Sequence, residues 1–353
     1  MSVIPKRVKL DRPLRAGLIG AGHQNISDHL PTIERRVDVE VVYIYDTDAQ
    51  ASARLAQSNP EISVPIVNDF DILLEAELDF CVVAVPHDQH VAISKTLCAA
   101  QIPFMKEKPF ARTLDETIEL ASVPDMTKFC FVCTQRRFHP LYRSAKEALK
   151  DLGTIASFDV QYSLNLPKSV EGWRASMDVS GGGVIIDMGY HIIDQLTWWF
   201  GYPDDVNARV SRIAEASDDY ETEDAASISF EYYAPPLQGT IVLSRCSGSR
   251  VERYQVAGSK FSLEGSKSNL RIIDRAGGVR IDRQGNYGQE MLDRQLSFFL
   301  ETMLDGRNFE RNHWDNLQNM KLVERCYRSG ISRDAALFIA QFPRGGTKPQ
   351  RAW

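Results

Sequence analysis

The sequence predicts an α/β protein in two parts. A doubly wound parallel sheet comes first, followed by an α+β domain with an open, mainly antiparallel sheet. Three observations predict this. Up to position 134, short all-apolar runs alternate with helical stretches of about ten residues, the pattern of βαβ units. From position 154, apolar and polar residues alternate with period two in several successive runs, as half-buried antiparallel strands do. One long apolar helix, behind Gly181-Gly182-Gly183, interrupts those runs. The expected boundary separates 1–134 from 135–353.

The bulk composition narrows the function classes. A chain of 353 residues with 43% hydrophobic content can bury two ordinary cores. A net charge of −6 without any basic stripe argues against nucleic acid and against an anionic membrane as partners. No apolar run is long enough to span a bilayer, and the lead-in MSVIPKRVKLDRP lacks a signal-peptide core. A cytoplasmic protein is expected. Cys130 and Cys133 form a CxxC within KFCFVCT, which reads as a buried strand with the two thiols on opposite faces. With no second pair nearby they read as reduced core residues, and no metal is expected.

The parallel part begins with the strand Leu14–Gly20 (LRAGLIG). It runs into Gly20-Ala21-Gly22-His23-Gln24-Asn25 and a helix through Ile33. Strand, glycine turn and helix in that order make a phosphate-binding start, with close backbone approach at the glycines and N–H groups at the helix end. Asn25 stands where a third glycine would be. Gly20, Gly22, Gln24 and Asn25 are therefore candidate cofactor contacts. The next strand, Val39–Tyr45, ends at Asp46, 24 residues after Gly22. That spacing suits a carboxylate on the adenosine ribose hydroxyls, although a turn-forming Asp competes as a reading. Asp46 would repel a 2′-phosphate, and no Arg or Lys follows until Arg54, so NAD is favoured over NADP.

The alternation continues through a helix at Ala49–Ser58, a short strand at Ile66–Asn68 and a helix at Phe70–Glu75. The strand Phe80–Val85 ends in Pro86-His87-Asp88-Gln89-His90, and the helix Val91–Ala100 follows. The strand Ile102–Met105 then leads into Lys106-Glu107-Lys108-Pro109. A helix at Thr113–Leu120 and a strand at Lys128–Thr134 complete this part. Ligands on such sheets sit at the carboxyl ends of the strands. Pro86, His90, Glu107 and Lys108 join the candidate cofactor residues on that ground. Lys108 precedes a proline, where a cis bond can hold the backbone, and at a cleft it could serve in proton transfer.

After the helix Leu141–Lys150, strands are expected at Thr154–Leu164, Val206–Ile213, Ala225–Tyr233, Gly239–Cys246 and Arg253–Ala257. Shorter ones are expected at Lys260–Glu264 and Asn269–Ile273, then helices at Glu290–Leu304 and Trp314–Ser329. The tail Arg344–Trp353 reads as disordered. Within Ser180–Gly201 the apolar helix carries Asp187, His191 and either Asp194 or Gln195 at i, i+4 and i+7 or i+8, one stripe on one face. Ionisable groups in a buried helix are paired or used. A self-satisfied core pair and an acid/base pair lining a cleft both fit.

In order and spacing these segments resemble the Gfo/Idh/MocA family along nearly the whole chain. The carriers are GLIGAG at Gly17–Gly22, Asp46, PHDQH at Pro86–His90, EKP at Glu107–Pro109, RRFHP at Arg136–Pro140 and GGGVIIDMGYHIID at Gly181–Asp194. The resemblance implies an N-terminal Rossmann domain and a C-terminal sheet domain, whose open face often mediates homodimers or homotetramers. It implies NAD(P)-dependent oxidation or reduction of a sugar, sugar acid or cyclitol, with Lys108, Asp187 and His191 as the catalytic constellation. Asn25 and His87 depart from the family pattern.

On that reading His191 takes the hydroxyl proton, Asp187 orients the imidazole, and Lys108 hydrogen-bonds the same oxygen; Lys108 is the other candidate acceptor. Arg136, Arg137, Tyr162, Asn165, Trp173 and Arg174 are candidates for polyol recognition, with Trp173 as an apolar wall. Asp194 and Gln195 read as anchors of the helix. Three alternatives stand beside it: a ketoreductase acting on a nucleotide-linked keto-sugar, which would use the same residues in reverse; a glycosidase that recycles NAD; and a non-catalytic NAD-binding regulator, against which the intact Lys108, Asp187 and His191 argue.

Overall fold

A computed structural model describes residues 12–48, 50, 55, 63–166, 172–212 and 220–341, with side chains as far as 330. The lead-in before residue 12, most of the expected helix at 49–58 with Arg54, and the tail from 344 lie outside the described residues.

Six short strands build the first sheet: β1 Leu14–Ile19, β2 Val39–Tyr45, β3 Ile66–Val67, β4 Phe80–Val83, β5 Phe104–Lys106 and β6 Cys130–Val132. They are parallel in the order β3-β2-β1-β4-β5-β6. The order reverses beside β1, so a crevice opens between the ends of β1 and β4, where such folds bind ligands. β4 is apolar throughout, and β1 is so apart from Arg15 near its start, because helices cover both faces.

Eight strands build the second sheet: β7 Ile155–Asn165, β8 Asp205–Ser211, β9 Ala225–Tyr233, β10 Pro236–Ser244, β11 Cys246–Gly258, β12 Phe261–Gly265, β13 Asn269–Asp274 and β14 Val279–Gln284. Their order is β14-β13-β12-β11-β7-β10-β9-β8. All pairs are antiparallel except β7 with β10. β9 alternates buried and exposed residues along most of its length, which leaves one face of this sheet open.

Several expectations shift. The expected strand Lys128–Thr134 opens as a helical turn, Met126–Phe129, because Lys128 and Phe129 donate their N–H groups to the Asp125 carbonyl. The strand proper is Cys130–Val132. β14 was not expected, since its charged run VRIDRQ is exposed and lacks an apolar face. The helix after the glycine triplet begins with a π turn, Ile185–Gly189, before the α-helix Tyr190–Phe200.

Two apolar cores result. One lies between the sheets and takes in Ile185, Ile192 and Ile193 of the glycine-triplet helix. The other lies under the parallel sheet and is closed by the late helix Gly288–Leu304, whose Phe299 meets Phe80 at 5.5 Å between ring centroids. Cys130 belongs to the first core and Cys133 to the second, so they do lie on opposite faces. No helix among the described residues is long and apolar enough to cross a membrane.

Candidate active site

A cleft of about 750 Å³ runs along the carboxyl ends of β1, β2, β4 and β5 and is walled on its far side by Trp173, Arg174 and Asp187. Its floor is the glycine turn. Gly20 has φ +98°, and a Cβ there would stand 2.3 Å from the Ala84 carbonyl, so only glycine lets β1 and β4 close. A Cβ on Gly22 would meet nothing within 4 Å. The turn therefore leaves open space above its backbone, as a pyrophosphate needs.

Asp46 borders the same cleft. Its Oδ2 accepts from Ala21 N at 2.7 Å and its Oδ1 from Asp48 N at 2.9 Å. The carboxylate is thus both the turn-former and a cleft-facing acid, with remaining lone pairs for ribose hydroxyls. Gln24 and Pro86 also line the cleft. Asn25 does not: it is fully buried and donates from Nδ2 to the carbonyls of Ile19 and Gly20, at 2.9 and 2.7 Å. It staples the turn from beneath, so its expected role as a cofactor contact is corrected. His90 is corrected likewise. Its buried ring lies between the carbonyls of Val85 and Pro109, and burial followed by Lys106 pushes it well below an ordinary imidazole pKa.

The Lys108–Pro109 bond is cis, and three side chains fix the loop around it. Lys106, fully buried, donates to the Phe110 carbonyl at 2.6 Å, and burial lowers its ammonium to about 8. His90 holds Pro109. Glu107, at the cleft edge, is bonded to His29 Nε2 at 2.9 Å. His29 was not singled out in the sequence. With Cys133 it completes a buried trio whose ligand-type atoms lie within 4.8 Å of one another. The Cys133 thiol is pushed well up, by burial and then by Glu107, and so stays protonated.

Lys108 then projects across the cleft. Its Nζ donates to the Asp187 carbonyl at 2.8 Å and to Asp187 Oδ1 at 3.0 Å. Arg174 Nε donates to Oδ2 of the same carboxylate at 3.0 Å. Burial alone would raise the Asp187 carboxyl; Lys108 and Arg174 reverse that and hold it well below the usual carboxylate range. Among the described residues the Asp187 carboxylate is hydrogen-bonded by Lys108 and Arg174 and not by His191, on which it acts through its charge, so the hydrogen bond expected to orient the imidazole is not made. His191 is pushed well below its ordinary pKa, first by burial and then by Lys108 and Arg136, so it is a neutral imidazole.

The glycine triplet places Asp187. Glu223 accepts from Gly183 N at 2.7 Å and Ile185 N at 3.0 Å and caps the helix. Tyr327 donates to the same carboxylate at 2.8 Å. A Cβ on Gly183 would lie 2.1 Å from the Glu223 carbonyl.

The candidate polyol residues divide. Trp173 and Arg174 line the cleft, with the guanidinium 4.3 Å from the indole centroid. Arg136 is buried behind the wall, paired with Glu252 at 2.9 Å and Gln195 at 2.7 Å, its guanidinium 5.1 Å from the buried Tyr162 ring. Arg137 is corrected to a structural role, because its guanidinium is consumed by Asp194 and Asp315. Asn165 is exposed at the end of β7, away from the residues lining the cleft.

Comparison with known proteins agrees with this geometry. Residues 14–133 match the model of an oxidoreductase family with an NAD-binding Rossmann fold, and residues 142–264 match a GFO/IDH/MocA C-terminal domain. A relative, the uncharacterized oxidoreductase YdgJ of Escherichia coli K12, is 24% identical over 295 residues, 80% of each chain. Among solved structures, levoglucosan dehydrogenase in complex with NADH and levoglucosan superimposes with TM-score 0.78 at 17% identity, covering 91% of this chain and 98% of that one. GenD2 from gentamicin A biosynthesis, in complex with NAD, does so with TM-score 0.78 at 20% identity, covering 94% and 98%. The fold, the cofactor cleft and both matched segments converge: the chain is an NAD-binding oxidoreductase and belongs to the Gfo/Idh/MocA family.

Proposed function

We propose that the protein is a dehydrogenase that oxidises a secondary alcohol of a sugar, sugar acid or cyclitol, with NAD preferred over NADP. Residues 1–134 hold the cofactor. Residues 135–353 supply the substrate contacts and, through the open face of the second sheet, a homo-oligomer surface on which Tyr233 and Val242 are exposed.

The observation that carries the reading is the Lys108–Asp187–Arg174 cluster on the wall of the cofactor cleft, with neutral His191 on the same helix. A nicotinamide held in the cleft by the glycine turn and Asp46 would supply the acceptor for the hydride of the carbinol carbon. Lys108 donates a hydrogen bond to the alcohol oxygen and stabilises charge developing there. His191, uncharged at neutral pH, takes the hydroxyl proton, and the carbonyl forms as the O–H and C–H bonds break. Asp187 holds the ammonium of Lys108 and the guanidinium of Arg174 in place. Trp173 presents an apolar wall to a sugar ring.

A panel of inositols, aldoses, sugar acids and nucleotide sugars, each with NAD⁺ and with NADP⁺, tests the reading through absorbance of the reduced cofactor. Turnover of an unactivated polyol with NAD⁺ is expected. Lys108→Met or His191→Ala should each lower kcat/KM by about 10²–10⁴-fold, with NADH affinity nearly unchanged. Near-normal rates in both variants would overturn the assignment.

A further inference from the structure

Two histidines line the cleft, His23 and His87, and the proposed mechanism uses neither; His87 is the buried one. It directly follows Pro86 at the end of β4 and is 2% exposed. Its Nδ1 lies 2.6 Å from the Ser180 carbonyl. A carbonyl only accepts, so Nδ1 carries the proton and donates it. Ser180 sits just before the glycine triplet, so this bond ties the cofactor-binding sheet to the segment that leads into Asp187. The ring is wedged edge-on against Trp173 at 4.6 Å and against His90 at 5.6 Å between centroids. With this wedging its orientation is set.

The other nitrogen is the informative one. Nε2 has no hydrogen-bond partner among the described residues, yet it is absent from the buried polar atoms that lack one. It therefore keeps some exposure, and the cleft is what the ring borders. Burial and the cations Lys108 and Arg174 press the imidazole down to about 3, against the opposing pull of Asp187 and the Ser180 bond. An imidazole that is neutral, with its proton committed to Ser180, presents a lone pair and nothing else.

We propose that His87 is a fixed hydrogen-bond acceptor in the cleft and that its Nε2 receives a hydroxyl of the bound ligand, either a cofactor ribose hydroxyl or a hydroxyl of the alcohol substrate. The substrate arm rests on the proposed dehydrogenase reading; the cofactor arm does not. An acceptor at this point selects ligands that bear an O–H there over ligands that are methylated or lack the hydroxyl.

Three variants separate the acceptor from the tie to Ser180. His87→Asn keeps an N–H near the Nδ1 position and offers no acceptor at the Nε2 position. His87→Gln and His87→Leu both lose the tie, but only Gln reaches Nε2's position with an oxygen. Fluorescence titration with NADH reads the cofactor arm. Calorimetric titration of the NADH complex with a polyol that the wild type binds reads the substrate arm without needing turnover. His87→Asn should weaken one of the two by about tenfold, the loss of one hydrogen bond. His87→Gln should bind that same ligand several-fold tighter than His87→Leu. If His87→Asn melts lower than the wild type, the Gln and Leu pair alone decides the question. Equal affinities for both ligands within that pair, or wild-type affinity for both in a stable His87→Asn, would overturn the proposal.

Discussion

Asp46 gives the sharpest quantitative prediction. Its carboxylate is pinned to the glycine turn by Ala21 N and by Asp48 N, and it borders the cleft where an adenosine ribose would lie. It cannot swing away without leaving two backbone N–H groups unpaired. A 2′-phosphate seated on such a ribose brings a charge of about −2 to roughly 5 Å from the carboxylate. The repulsion is about 1.7 kcal/mol at the dielectric of water and about 7 kcal/mol at the value suited to a protein surface. Asp46 is half-buried and the cleft is open, so the lower figure applies, and salt reduces it further. The wild type should therefore bind NADH about tenfold more tightly than NADPH. Asp46→Ser removes the charge while keeping an acceptor for Ala21 N. It should bring the two affinities to within about threefold, mainly by tightening NADPH. Fluorescence titration of both reduced cofactors on both proteins gives the four constants. Tighter NADPH binding by the wild type, or an unchanged ratio in the variant, would refute the reasoning.

Two further predictions concern the glycines and the buried lysine. Gly183→Ala forces a methyl into the Glu223 backbone and should destabilise the fold by about 1–3 kcal/mol in urea denaturation. Gly22→Ala, with free space around it, should leave stability intact and weaken NADH binding instead; equal effects of the two on stability would count against the geometry. Lys106, lowered from 10.5 to about 8 by burial, makes stability pH-dependent with a definite sign. Below pH 8 it is charged in both states and its burial cost is complete. Between pH 8 and 10.5 the unfolded chain holds more protons, so the folded state gains up to about 3 kcal/mol as pH rises. Urea midpoints of wild type and Lys106→Met should therefore shift in favour of the wild type over that window, and a constant difference would contradict it.

The parallel sheet was legible because β4 and, Arg15 apart, β1 are apolar and are followed by proline and glycine. The cleft was legible for the same reason: Gly20, Asp46, Pro86 and Lys108 each end a recognisable strand or stand just beyond one. What the sequence hid were the partners supplied from far along the chain. Arg137 looked available for a polyol, but Asp315 claims it from 178 residues away. Glu223 caps the glycine-triplet helix from 40 residues downstream of Gly183, with no local capping motif to announce it. A helical wheel paired Asp187 with His191, but Lys108 and Arg174, from 79 and 13 residues away, take the Asp187 carboxylate. Asn25 and His90 sit in motif positions yet spend their side chains on backbone carbonyls. A residue type and a spacing name a candidate; only burial and the competing donors decide whether its side chain faces the cleft.

The central claim is hydride transfer to the cofactor at the Lys108–Asp187 wall. The most direct test carries deuterium on the carbinol carbon of the best polyol from the panel and examines the reduced cofactor by NMR. The account predicts one deuterium at the nicotinamide C4 in the wild type and label transfer at least about 10²-fold slower in Lys108→Met, which should still bind NAD. Deuterium released to solvent, or label transferred as fast by Lys108→Met, would contradict it.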